Sequence, residues 1–178
     1  MAPGVRRSRY FGPAAGFSSR FQLSIVREAI IIAADTIGVI RGKIIGKPHT
    51  PDEAGRMLRS LSGKSHRVIT GFTIVDTGTG KTLSESVETR VWVGKLTPEE
   101  IDAYVKTGEP LDKAGAYAIQ GLGAVIVEKI EGDYFNVIGL PLNALTESLK
   151  EFGIAILGEG TRRRSLPPGN QWKRPPEG

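Results

Sequence analysis

Apolar and polar positions alternate along the chain in ways that predict most of its elements. Ile30 to Ala34 is an uninterrupted apolar run and predicts a buried strand. Thr50-Pro51-Asp52-Glu53 reads as a capping box with proline at the first helical position. Ala54, Met57, Leu58 and Leu61 then form an apolar stripe, and Gly63 ends the helix. Val68 to Val75 and Leu83 to Val93 predict a hairpin closed by Asp76-Thr77-Gly78-Thr79-Gly80. In its second strand Val87, Thr89, Val91 and Val93 share one face, and Glu88, Arg90 and Trp92 the other. Thr97-Pro98-Glu99-Glu100 is a second capping box, with Leu96 and Ile101 placed as a hydrophobic staple. That helix buries Ile101, Tyr104 and Val105 and stops near Gly108. Ala124 to Ile130 predicts a strand, turned by Glu131-Gly132-Asp133 into another from Tyr134 to Ile138. A last helix begins near Pro141, aligns Leu142, Leu145, Leu149 and Phe152, and caps at Gly153. Interleaved helices and hairpins imply an α/β fold with a mixed, twisted sheet flanked by helices.

Composition changes this picture mainly at the ends. Residues 1–22 carry Arg6, Arg7, Arg9 and Arg20 with no acid, and residues 158–178 are also basic and rich in proline. The net charge of +5 belongs to these segments, so the part between them is slightly acidic. The expected organisation is therefore a disordered basic segment over 1–22, one globular domain over 23–157 and a disordered basic tail over 158–178. Nucleic acid is an unfavoured partner, because apart from Trp172 no aromatic residue interleaves the terminal arginines. The chain has no cysteine, which excludes disulfides and thiolate metal sites and fits a reducing, cytoplasmic location. No run of about 18 apolar residues is present, so a membrane span is not expected.

Two polar clusters carry the candidate chemistry. Asp35 follows the apolar run of Ile30 to Ala34, where a strand is expected to reach the rim of a sheet; as an alternative, it caps the turn before Arg41. Lys47 lies between Gly46 and Pro48, whose backbones restrict where a phosphate-binding lysine points. Glu109, Asp112 and Lys113 fall within five positions, beside Gly115 and Gly121. Two carboxylates near a third on another loop suit a hard divalent cation such as Mg²⁺. Gln120 has an amide able to donate to and accept from a nucleobase edge. His49 and His66 stand alone, without a second histidine at metal-ligand spacing, and read as ordinary surface or core residues. Gly78-Thr79-Gly80-Lys81 lacks the first glycine of a phosphate loop and sits between strands, so it is set aside. Ser62, Ser84 and Ser86 have no histidine and acid partners nearby for a nucleophilic role.

Several segments together resemble the Maf family: Ala34-Asp35-Thr36, Gly46-Lys47-Pro48, Leu61-Ser62-Gly63 with His66 and Thr70-Gly71, Gly108-Glu109-Pro110 through Asp112-Lys113-Ala114-Gly115-Ala116-Tyr117 to Ile119-Gln120-Gly121, Ile130 to Tyr134, and Gly139 to Leu142. The resemblance spans roughly residues 29 to 153. It implies a fold shared with the inosine triphosphatases, hydrolysis of a nucleoside triphosphate to its monophosphate and pyrophosphate, a divalent metal (Mg²⁺ or Mn²⁺) and a homodimer. Asp-Lys-Ala-Gly with Ile-Gln-Gly is similar to the branch acting on dTTP and UTP. By motif, Asp35 would be the proton acceptor; on the residues alone it is also expected, with Glu109 and Asp112, to be a metal ligand. Thr36 and Gln120 would set base preference, and Lys47 and Lys113 would hold phosphate. The family opens with a strand and a serine-proline-double-arginine motif, and 34 residues before Asp35 are too few for both. Arg6-Arg7 and Ser18-Ser19-Arg20 lack its spacing, so reduced stability and weak turnover are expected. A catalytically impaired, nucleotide-binding relative with a septum-associated regulatory role is the alternative.

Overall fold

Periodicity of two dominates the middle of the chain, and the sheet built from it organises everything else. The computed structural model describes the backbone of residues 5–7 and residues 28–157. Strands β1 (Val5–Arg7), β2 (Ile30–Ile40), β3 (Lys43–Ile45), β4 (Ser65–Asp76) and β5 (Thr82–Val93) are ordered β1-β5-β4-β2-β3, and β6 (Val127–Glu131) pairs with β5. Every pairing is antiparallel among the described strands. The α/β class and flanking helices match the expectation, but the mixture of strand directions does not appear in these pairs. Short hairpin turns make β2–β3 and β4–β5 antiparallel, and the longer connections return β4 on β2 and β6 on β5 in the same sense.

Alternation on β4 and β5 separates their faces. His66, Val68, Thr70, Phe72 and Ile74 are buried on one face of β4, and Glu85, Val87, Thr89, Val91 and Val93 on the matching face of β5. Helices α1 (Pro51–Leu61) and α2 (Pro98–Lys106) cover one end of this face with a cluster including Leu58, Leu61, Val91, Val93, Ile101 and Tyr104. Helix α4 (Leu142–Lys150) covers the other end, through Leu145 and Leu149 on Phe72, Ile74 and Val87. Between the two clusters, α3 (Tyr134–Ile138) packs on β4 and β5. Its Asn136, fully buried, donates to the Val68 carbonyl and to Thr89 Oγ1 at 3.1 and 2.9 Å.

Four local expectations are corrected. Tyr134–Ile138 is a helix, because Asp133 caps it by accepting from the Phe135 and Asn136 amides, and a short, mainly apolar stretch does not by itself distinguish strand from helix. The segment before β6 is a 3₁₀ turn over Gly121–Ile126, so the strand starts only at Val127. Ile31 and Ile32 are 45% and 42% exposed, so the apolar run is not buried. Helices cover β4 and β5, and of this run only Ile30 reaches a core cluster. At the N-terminus, Val5–Arg7 pair with Glu85–Val87 as a strand, within a segment expected to have none. The rest of the expected terminal segments, 1–22 and 158–178, lies outside the described residues.

The caps differ between the first two helices. On α2, Thr97 Oγ1 accepts the Glu100 amide and Glu100 returns a bond to the Thr97 amide, a complete capping box. On α1, Thr50 accepts the Glu53 amide, but the Glu53 carboxylate takes the His49 amide instead of that of Thr50. No helix among the described residues is long and apolar enough to cross a membrane.

Candidate active site

A short hairpin opens the cleft. The two-residue turn Arg41-Gly42 has φ of 50° and 77°, the left-handed pair that a tight hairpin requires, so β3 pairs with β2 only at Gly38–Ile40. Beyond Ile45 the chain leaves the sheet as Gly46-Lys47-Pro48. Among the described residues this frees the outer edge of β2 at Asp35 and Thr36. Asp35 is therefore in mid-strand at a lateral edge, and not at the end of a strand as expected. The rule placing ligands beyond strand carboxyl ends belongs to parallel sheets, and this sheet reaches its rim sideways. Directly opposite Asp35 on β4 is Gly71, whose missing side chain leaves the neighbouring space open.

A cleft of about 450 Å³ lies along this edge. It is lined by Asp35, Thr36, Lys47, Asp112, Lys113 and Gln120, together with buried His66 and Tyr117. The two polar clusters of the sequence thus share one cavity. They are joined by a backbone bond, from the Gly115 amide to the Gly46 carbonyl at 3.0 Å. Next to it, buried Ala116 has φ of 62°, a strained conformation for a residue with a Cβ, of the kind that concentrates at functional loops.

Asp35 and Lys47 are exposed to the cleft, and Asp35 Oδ1 accepts the Thr36 amide at 2.9 Å. Thr36 is held more tightly. Its hydroxyl lies 2.8 Å from that of Thr70 and 3.3 Å from the Gly139 carbonyl, while Thr70 reaches the Asn136 carbonyl at 3.0 Å. Two hydroxyl protons serve these three contacts. If Thr70 donates to Asn136, Thr36 donates to Thr70; if Thr70 donates to Thr36, Thr36 donates to Gly139. In both arrangements the Thr36 proton is used inside the protein, and lone pairs of its oxygen remain for a ligand. Gln120, by contrast, makes no side-chain hydrogen bond among the described residues and keeps both amide functions available.

Glu109 departs from the expectation. It does not line the cleft, and its carboxylate is already engaged. Tyr104 Oη donates to Oε1 at 2.8 Å, the Gly123 amide to Oε1 at 2.8 Å and the Leu122 amide to Oε2 at 2.9 Å. The Gly123 amide foremost, with Leu122, Tyr104 and nearby Lys113, holds this carboxyl below the usual range. Among the described residues no three His, Cys, Asp or Glu side chains are grouped to hold a metal ion. The set Asp35, Glu109 and Asp112 is therefore not assembled; two of its members line the cleft, and Glu109 is withdrawn behind the loop.

Behind the loop stands a wall whose pairing the sequence did not reveal. His66 is 3% exposed, and its Nε2 lies 2.9 Å from Tyr117 Oη with the rings edge to face. Burial pushes the His66 pKa down to about 4 and raises that of Tyr117. Nδ1 of His66 and Oδ1 of Asn136 are buried without partners among the described residues. In the sequence His66 reads as an ordinary surface or core residue within a family-like segment; the structure makes it a core residue on the face of Val68 and Phe72.

Comparison with known proteins places the chain in a family. The family model described as Maf-like protein matches residues 14–152. A protein of Thermoanaerobacter sp. (strain X514) named dTTP/UTP pyrophosphatase is 59% identical over 131 residues, 73% of this chain and 69% of the relative. Proteins of the same name from Methanosarcina barkeri and Moorella thermoacetica are 53% identical over 133 residues and 50% over 131. Those matches cover 75% and 74% of this chain, and 68% of each relative. Spanning both polar clusters, the α1 and α2 caps and the buried face of the sheet, the match establishes that this chain belongs to the Maf-like protein family.

Proposed function

We propose that the chain hydrolyses nucleoside triphosphates carrying thymine or uracil to the monophosphate and pyrophosphate. The observation that carries this reading is the gathering of Asp35, Asp112, Lys47 and Lys113 in one cleft with Thr36 and Gln120. The names of the relatives, dTTP/UTP pyrophosphatase, support the same substrate class. In the reaction a water oxygen bonds to the attacked phosphorus, the bridging P–O bond of the α,β-anhydride breaks, and pyrophosphate leaves. Asp35 takes the water proton, a role suited to a carboxylate open to the cleft. Lys47 and Lys113 bind and orient the polyphosphate as mobile point charges.

The donor set fits a divalent cation brought with the substrate, since Mg²⁺ commonly uses one or two carboxylates plus phosphate oxygens. Asp35 and Asp112 are the residues that would hold it, and when bound it offsets charge on the phosphate oxygens. At the base, a lone pair of the Thr36 hydroxyl suits the N3–H of thymine or uracil. Cytosine has an acceptor there. Gln120 supplies a donor and an acceptor to the flanking groups.

The test is pyrophosphate release from dTTP and UTP with Mg²⁺ or Mn²⁺, repeated with Asp35→Asn. A loss of about 10²- to 10⁴-fold is expected for removal of a general base. Full activity in Asp35→Asn would remove Asp35 from that role. Saturable nucleotide binding by the unmutated chain without pyrophosphate release would replace hydrolysis with a binding function.

A further inference from the structure

The carboxylate of Glu109 is enclosed by the segment that carries Gln120. Gln120 lies between two tethered points. On one side, the Ala118 amide donates to Tyr104 Oη at 3.2 Å; on the other, the Leu122 and Gly123 amides donate to the two oxygens of Glu109. The tethers are themselves linked, because Tyr104 donates to Glu109 at 2.8 Å. The segment closes over the carboxylate without room to spare. Gly121 has φ of +81°, and a Cβ there would lie 2.7 Å from Glu109 Oε2. At Gly123 a Cβ would collide with the Ala118 carbonyl and the Tyr104 hydroxyl. Tyr104 in turn is fixed in α2, within the cluster formed by α1 and α2. Loop residues that read a base are accurate only when their backbone is held, and this backbone is held by one carboxylate and one phenol.

We propose that Glu109, acting with Tyr104, is a positioning residue that sets where Gln120 meets the base and so governs discrimination among nucleobases. The proposal rests on the nucleoside triphosphate reading above and deepens it. It gives Glu109 a role distinct from metal binding. With the tether removed the cleft keeps Asp35, Lys47 and Lys113, so polyphosphate handling persists while base choice relaxes.

The experiment compares Glu109→Gln and Tyr104→Phe with the unmutated chain. Glutamine replaces one accepting oxygen with an NH₂ that cannot take an amide proton, and phenylalanine keeps the packing of α2 if the glutamine variant folds poorly. Binding of the non-hydrolysable α,β-imido analogues of dTTP and dCTP is measured, alongside pyrophosphate release and amide hydrogen exchange. Both variants should lose about tenfold of the preference for the thymine analogue, the effect of one misplaced hydrogen bond. The loss should fall on KM for dTTP, with kcat within about twofold. Exchange at Ala118, Leu122 and Gly123 should accelerate without change in β4 and β5. An unchanged ratio between the analogues, with both affinities falling together, would mean that Glu109 is merely structural and would overturn the proposal. So would an intact ratio with weakened Mg²⁺ or Mn²⁺ dependence, the signature of a metal ligand. If the unmutated chain binds the analogues selectively but releases no pyrophosphate, and the variants lose that selectivity, the positioning role stands and the hydrolytic reading falls. An unmutated chain that binds neither analogue overturns both.

Discussion

The two ends of the sheet's covered face are built from different materials. Beneath α4, the cluster of Phe72, Ile74, Val87, Leu145 and Leu149 has no polar atom in any of its side chains, and the buried polar pair beside it, Ser148 donating to Glu85 at 2.9 Å, joins the helix to β5. Beneath α1 and α2, the cluster includes Tyr104 and Tyr117, and His66 is buried beside it. Each of these three makes a hydrogen bond from a buried position to the loop or to one another. A cluster of wholly apolar side chains holds its helix down, whereas aromatic residues with a polar tip both fill the core and pin backbone above it. The cleft lies over the second kind. The comparison suggests that in this fold a site is positioned from below, by core residues with one hydrogen-bonding atom each.

The strongest way to break the comparison is a matched pair of cavities. Leu61, whose Cδ1 would lie 3.5 Å from a Cβ at Gly115, backs the loop; Leu149 backs only α4. Leu61→Ala and Leu149→Ala should each cost about 2–5 kcal/mol in chemical denaturation. Only Leu61→Ala should also raise KM for dTTP, assayed at a temperature where both variants remain folded. Equal effects on KM would dissolve the distinction between the two ends.

A smaller effect sharpens it through pH. The folded-state pKa of His66 is about 4 against an ordinary 6.5, so between these values the unfolded chain binds a proton that the folded chain refuses. Stability is fully present above pH 6.5 and falls as pH drops toward 4, by no more than about 3 kcal/mol. Urea titrations at several pH values should show this slope in the unmutated chain and its loss in His66→Gln. The cluster beneath α4 contains no histidine, so this imidazole contribution belongs to the other end alone.

The smallest expected effect is at the cap of α2. Thr97→Ala removes one half of a reciprocal pair and should cost about 1 kcal/mol, measured by thermal unfolding. Because α2 carries Tyr104, exchange at the Ala118 amide should rise with it, and exchange in α4 should not.

What the sequence made legible follows from how local each signal is. The hairpin of β4 and β5 and the box at Thr97 depend on neighbours within a few positions, and both appear where they were expected. The helix at Tyr134–Ile138 depends on Asp133 as a cap, a signal that the alternating apolar run obscured. Asp35 was singled out for its chemistry, yet its place in mid-strand depends on how few residues β3 contributes, which hydropathy does not report. Glu109 was the least legible. Its partners are amides 13 and 14 positions downstream, exposed as donors only because that segment folds as a 3₁₀ turn. Acid-rich spacing suggested a metal, and nothing in the string of letters distinguished that from a carboxylate serving as a loop anchor.

The turn at Arg41-Gly42 has a consequence for distance. Two residues are enough to reverse the chain, so the stretch leading to Lys47 is as short as an antiparallel return allows. Inserting a single residue would advance Gly46 and Lys47 by roughly 3.4 Å and turn alternate side chains to the opposite face. The lysine would then leave its place in the cleft, and the Gly46 carbonyl that accepts the Gly115 amide would be out of register with it. The hairpin is in this sense a ruler, and its length is read out at the far wall of the cleft.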